Sequence, residues 1–340
     1  MKKHLSGFYW LTLATLSACA FLALSMPTAA QKETSKVAET PTPVPSQPAA
    51  EETATADQWL LKLTAWRTQR ESDLDAPDGW LSLIGLEWLT NGVNTVGTSL
   101  DSTLRIGAPG PQHIGLLTVT GAGPKEQIVQ FSPPPGGFPD ELMINGTPAH
   151  PGPLSVNDKT PSTITWRSLT LTVLERGGRF VLRIKDANSP TRLSFHGLNW
   201  YAPDPDYYIT AAWIPYNPPH IEDIPTIIGT TLKLPAPGIV EFDFKGKLIR
   251  LEPVVEDPSG KTLFFILRDT TSKTTTYESA RFLHTGLPDH GLDKPGLLDL
   301  DFNRLENPPC AYTPYATCPL PPELNRLTIA IDAGEKRFTP

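Results

Sequence analysis

Residues Leu297 to Pro322 hold the densest set of groups in this sequence that could do chemistry. Asp299 and Asp301 alternate with Leu298, Leu300 and Phe302. A strand over Leu297 to Phe302 would therefore put both carboxylates on one face and the apolar residues on the other. Paired carboxylates can move protons or hold a cation. Asn303, Arg304 and Asn307 follow directly, and Arg281 upstream could stabilise a developing anion. Tyr312 and Tyr315 could line a pocket beside them. A structural reading stands against this one, in which Asp301 caps the next turn and pairs with Arg281 or Arg304 while the tyrosines pack against prolines. The candidate site is thus Arg281, Asp301, Asn303, Arg304, Asn307, Tyr312 and Tyr315.

Cys310 and Cys318 flank the tyrosines and admit three readings. An oxidising compartment would favour a disulfide between them. They could also be two buried thiols, or a metal-binding or catalytic thiol. Zinc normally takes four ligands, and no Cys-x-x-Cys or nearby His-x-x-x-His supplies them. Asp204, Asp206, Glu222 and Asp223 offer oxygen ligands at a spacing that fits no calcium loop, and His196 beside Trp200-Tyr201 reads as structural. No Gly-x-Ser-x-Gly, phosphate loop or dinucleotide fingerprint occurs. No cofactor and no metal are expected.

The elements that must position these groups are mostly strands. Proline makes up 37 of 340 residues, against a usual share of about 5%, and proline is excluded from helix interiors and central strands. One helix stands out, with Asp57 as its cap, Trp59, Leu60, Leu63 and Trp66 on one face, and Arg67, Arg70 and Glu71 on the far side or end. From Trp80 onward short apolar runs alternate with Gly, Pro and Asn-Gly turn signals. The fold expected is mainly β, as two packed β domains of sandwich or barrel type: 57–188, with the helix, and 189–340, with the chemistry-bearing segment.

The start of the chain reads as an export signal over 1–30: Lys2 and Lys3, an apolar run from Phe8 to about Leu24, then Thr28, Ala29 and Ala30. The run is at the short limit for a membrane anchor. Cleavage after Ala30 would release the protein, whereas Leu16-Ser17-Ala18-Cys19 would lipidate Cys19 and tether it. Residues 31–56, rich in Pro, Thr, Ala and Glu, read as a disordered linker. With Lys2 and Lys3 set aside, 27 of the 29 basic residues face 36 acidic ones, so a nucleic-acid partner is disfavoured and the membrane is met only through a lipid anchor.

Two resemblances add to this. Leu300 to Pro322, with Arg281-Phe282, Asn325-Arg326-Leu327 and Ala333-Gly334-Glu335-Lys336, resembles the bacterial family called domain of unknown function 1684. Gly79-Trp80-Leu81-Ser82-Leu83, Asn199-Trp200-Tyr201 and Phe264 to Asp269 extend the likeness over nearly all of the mature body. The sequence departs from that family at Glu278-Ser279-Ala280, at Leu305-Glu306 and in a longer Leu283 to Gly296, which carries His284 and His290. The family implies no activity. The first β region is loosely similar to a forkhead-associated sandwich at Asn94 to Gly97, Ile144 to Thr147 and Pro153 to Asp158. Thr98 replaces the phosphopeptide-binding Arg of that family, so phosphothreonine binding is not expected. The function expected is a periplasmic or extracellular envelope protein that binds a small-molecule or envelope ligand or serves as structure. The alternative is a hydrolase-like enzyme using Asp301 with Arg281.

Overall fold

The helix begins earlier than the sequence reading places it. In the computed structural model, which describes residues 49–339 except 122–125, 157, 158 and 258, with side chains from Ala56 onward, α1 spans Ala49–Asp75. Alanine and glutamate, which dominate the stretch from Ala49 to Ala56, are good helix formers. The last residues of the expected linker are therefore helical, and Asp57 sits inside α1, not at its cap. The signal, Cys19 and the rest of the linker lie outside the described residues, as do Asn157 and Asp158. No helix among the described residues is long and apolar enough to cross a membrane.

The docking face of α1 also differs from expectation. Leu63 and Leu74 are buried and Trp59 and Trp66 half-buried, but Leu60 is exposed, and Arg67, Arg70 and Glu71 face inward. Each of these charged residues has a partner. Arg67 donates to the carbonyl of Tyr201 at 3.1 Å, and Arg70 to that of Asn307 at 2.8 Å. Glu71 accepts from the Leu198 amide and the Trp200 indole. Burying charge is tolerable only with such partners.

The first β part is a two-sheet sandwich. One sheet has the order β1 (Leu83–Trp88), β11 (Arg179–Asp186), β10 (Leu169–Arg176), β9 (Thr163–Trp166), β6 (Met143–Ile144), β7 (Thr147–Pro148). The other runs β3 (Leu104–Arg105), β2 (Gly92–Gly97), β4 (Gly115–Thr120), β5 (Ile128–Ser132), β8 (Gly152–Leu154). Alternate residues of both, among them Leu117, Val129, Phe131, Leu171, Leu182 and Ile184, form one core. Gly97 touches the backbone of the loop that enters β4. A Cβ there would lie 1.9 Å from the Gln112 carbonyl oxygen and 2.9 Å from the His113 Cα. No rotamer can relieve a clash with backbone, so Gly97→Ala should cost about 2 kcal/mol in urea unfolding. An unchanged midpoint would show that the loop yields freely.

The second β part carries the site. Its four-stranded sheet has the order β14 (Lys247–Leu251), β13 (Thr231–Phe244), β12 (Tyr208–Pro225), β17 (Gly296–Asp301), and β15 (Leu263–Leu267) pairs with β16 (Arg281–Thr285). β12 and β13 run through Pro215, Pro218, Pro219, Pro235 and Pro237, residues at which the sequence pattern ends its strands. Pro218 and Pro219 fall where the register breaks between Pro215 and His220, so their missing amides cost the ladder nothing, while Pro215 and Pro235 stay paired with Gly238 and Ile221. Trp213, Leu251, Phe265, Leu300 and Phe302 are among the residues of the core beneath. The fold is thus mostly β with one N-terminal helix, and neither part closes into a barrel. Each part has its own core, yet the described chain forms a single unit: Ser189 Oγ donates to the Leu81 carbonyl and Thr313 Oγ1 to that of Leu83.

Candidate ligand-binding cleft

Strand β17 forms as its alternation dictates. Leu298 and Leu300 point into the core, whereas Asp299 and Asp301 share the opposite face. That face, the edge of α1 and the end of β16 enclose an open cleft of about 650 Å³. Trp59 and Lys62 come from α1, Tyr208 from β12, His284 from β16, and Arg304 follows β17. The volume and the mixture of aromatic and charged walls suit a small polar ligand.

The two carboxylates differ in how far they are already engaged. Asp301 is nearly buried, and its Oδ2 accepts from the Trp59 indole at 3.0 Å and lies 3.4 Å from Arg304 Nε. Its Oδ1 accepts from the Asn303 amide at 3.1 Å and from Asn303 Nδ2 at 3.0 Å, a cap on the turn that follows. Both oxygens are occupied. Asp299 is exposed, and among the described residues only hydroxyls bond it, from Tyr208 at 3.0 Å and Thr210 at 2.6 Å. Register explains this: Tyr208 pairs with Asp301 and Thr210 with Asp299 across the two strands. Burial raises the Tyr208 phenol, and its bond to Asp299 raises it further, so it stays a donor. Among the described residues no anion pairs with Lys62.

The remaining expected site residues are placed elsewhere. Arg281 is fully buried and does not meet Asp301; its Nη1 bonds Asp269 Oδ2 and the Ile331 carbonyl, both at 2.9 Å, and Nη2 reaches the Ala333 carbonyl. Asn303 is buried and ties the Asp204 amide at 2.9 Å and carbonyl at 2.8 Å. Asn307 donates through its amide and side chain to Glu335 at 3.0 and 2.9 Å, and the Tyr312 hydroxyl also donates to Glu335. Tyr312 packs with Leu74, Leu81 and Phe338, and Tyr315 lies at the surface outside the cleft. Of the seven expected residues, only Asp301 and Arg304 line the cleft. In the structural reading Asp301 caps the next turn and pairs with Arg281 or Arg304; it does cap that turn and its partner is Arg304, whereas Arg281 pairs with Asp269.

The expected disulfide is not formed. Cys310 and Cys318 are free thiols, with the Cys310 amide donating to Cys318 Sγ at 3.1 Å. Their loop is secured by other bonds: Tyr277 donates to the Cys310 carbonyl and the Ile227 amide to that of Cys318. The sulfurs pack in an apolar cluster with Ile224, Ala236 and Ala316. Asp204 Oδ1 accepts from the Asp206 amide, forming a local turn, and His196 is exposed.

Sequence reasoning missed Trp59, Lys62, Tyr208 and His284 as cleft residues. The helical spacing of Trp59 and Lys62 was the available signal, but α1 lies more than two hundred residues from β17 in the chain. Such a juxtaposition has no local signature.

Comparison with known proteins covers the part that carries β17. Residues 193–336 match the family described as "Protein of unknown function (DUF1684)", a narrower range than the resemblance implied, since Gly79 to Leu83 and α1 lie outside it. An uncharacterized protein of Haloarcula marismortui, solved by solution NMR, is 33% identical over 43% of this chain and 78% of its own, with a TM-score of 0.37. No curated protein matches the chain. The chain belongs to the DUF1684 family.

Proposed function

We propose that this protein is an exported envelope protein that binds a small organic anion in the cleft between α1 and β17. The observation that carries the reading is the contrast between two neighbouring carboxylates, one spent on structure and one presented to the cleft. Asp301 fixes Trp59 and Arg304 and so builds the wall. Asp299 remains to accept from a hydroxyl or amine of the ligand, while Lys62 and Arg304 face its acidic group. Trp59 and Tyr208 offer apolar surface to its body. Export rests on the basic, apolar and small-residue order of residues 1–30, with Cys19 as the tether if the chain is lipidated. Arg281 is committed to Asp269 and two carbonyls, which argues against the hydrolase that would use it with Asp301.

The test is a thermal-shift screen of the mature chain against sugar acids, amino acids and phosphate esters. A hit should raise the melting temperature of the parent. Lys62→Ala should weaken it about 10- to 100-fold, the worth of one charged hydrogen bond. Asp299→Asn should do the same without loss of stability, because Asp299 supports no backbone. Hits that bind both variants as tightly as the parent would place the ligand elsewhere and end this assignment.

A further inference from the structure

His220, Glu222 and Glu252 bring one imidazole nitrogen and two carboxylate oxygens within 4.8 Å of one another, and none of the three lines the cleft. His220 and Glu222 are two apart on β12, so the strand's period places both on one face. Glu252 arrives from the residue just after β14. His220 Nε2 lies 3.4 Å from Glu222 Oε2 and 3.6 Å from Glu252 Oε1.

Glu252 is the unusual member. It is only 8% exposed, and its Oε1 faces His220 Nε2 at 3.6 Å. A carboxylate kept this far from water is stabilised by a cation that meets it. Everything around Glu252 holds that oxygen in position. Asn325 clamps its backbone, accepting from its amide and donating to its carbonyl, both at 2.8 Å. Tyr216 donates to the other carboxylate oxygen at 2.5 Å, and its ring lies 4.8 Å from that of His220. This is the outer-shell bond that orients a ligating carboxylate. His220 is 44% exposed, which leaves the open side to water.

We infer that His220, Glu222 and Glu252 form a binding site for a divalent ion of the zinc class, with Tyr216 as its outer-shell support. Two ligand atoms each about 2.1 Å from a tetrahedral ion lie about 3.4 Å apart, the spacing that His220 Nε2 already keeps from Glu222. One nitrogen and two oxygens with a fourth position open suit Zn²⁺, whereas Ca²⁺ needs six or more oxygens. Sequence reasoning singled out Glu222 as an oxygen ligand but sought its partners in Asp204, Asp206 and Asp223. The pairing with Glu252 depends on a β-sheet crossing that the sequence does not display.

Calorimetric titration of the metal-stripped full chain with Zn²⁺ tests this. One ion should bind, and His220→Ala and Glu222→Gln should each weaken it about 100-fold or more, with Tyr216→Phe about tenfold weaker. His290→Ala should leave it unchanged. Co²⁺ in place of Zn²⁺ should give the visible absorption of a tetrahedral site, absent in His220→Ala. Both His220 and Glu222 are near the surface, so these variants will fold, and a parent-like melting curve without metal checks that they do. No Zn²⁺ uptake by the parent, or uptake unchanged in His220→Ala and Glu222→Gln, would overturn the assignment.

Discussion

Arg281→Leu should melt roughly 10 °C below the parent, the larger of two stability effects expected from the polar interior of the second β part. The guanidinium and its partner Asp269 are both buried, at 1% and 0% exposure. Removing one member of such a pair leaves the other charge stranded and costs about 3–5 kcal/mol. In a chain of this size each kcal/mol moves the midpoint by about 2–4 °C. More than the pair is lost. Arg281 also satisfies the carbonyls of Ile331 and Ala333, which fix the C-terminal segment against β16. Asp269 would keep its bonds to the Thr271 amide and hydroxyl, so it could not simply turn outward. Arg281→Lys separates charge from shape: one ammonium cannot span Asp269 and both carbonyls, so most of the loss should persist. Scanning calorimetry of the three proteins decides the matter. A midpoint for Arg281→Leu within about 2 °C of the parent would mean that the ion pair contributes no net stability.

Arg281 also illustrates what the sequence could and could not say. Its pairing with some carboxylate was readable, because a lone Arg between apolar strand residues must be neutralised if it is buried. Which carboxylate was not readable, since Asp301 and Asp269 both lie at plausible distances along the chain. Asp299 and Asp301 were legible as a face because a period of two is a local property of β17. Their division of labour was not, since it depends on Trp59 arriving from α1 and Thr210 from β12. Arg67, Arg70 and Glu71 defeated the helical pattern for a related reason: binary patterning sends charges to water, and here they bond backbone carbonyls and amides of another segment. The prolines of β12 misled in the other direction. They end strands only where a ladder needs their missing amide, and for Pro218 and Pro219 the break in register between Pro215 and His220 removes that need.

The same tertiary logic sets the second large effect, which is a dependence on pH. Glu335 is wholly buried, and burial pushes its carboxyl up to about 7, against the opposing pull of Arg70 and the Asn307 amide; Glu306 adds to the rise. In the unfolded chain the group returns to its ordinary value of 4.5. Between these values the folded protein keeps a proton that the unfolded chain has released, so unfolding releases it and rising pH favours the unfolded state. The stabilisation is complete below about pH 4.5 and is lost as the pH rises through about 7. It amounts to about 3 kcal/mol. Glu335→Gln cannot titrate but keeps the volume beside Asn307 and Tyr312. The stability of the parent relative to this variant should therefore fall by about 3 kcal/mol between pH 4.5 and pH 8 in parallel urea titrations. Taking the difference cancels groups that titrate alike in both proteins. Glu306 shares Arg70 with Glu335, so repeating the comparison with Glu306→Gln in both backgrounds separates its contribution. A parent-to-variant difference that stays level across that range would mean Glu335 is ionised throughout, its charge held by Arg70 and the Asn307 amide.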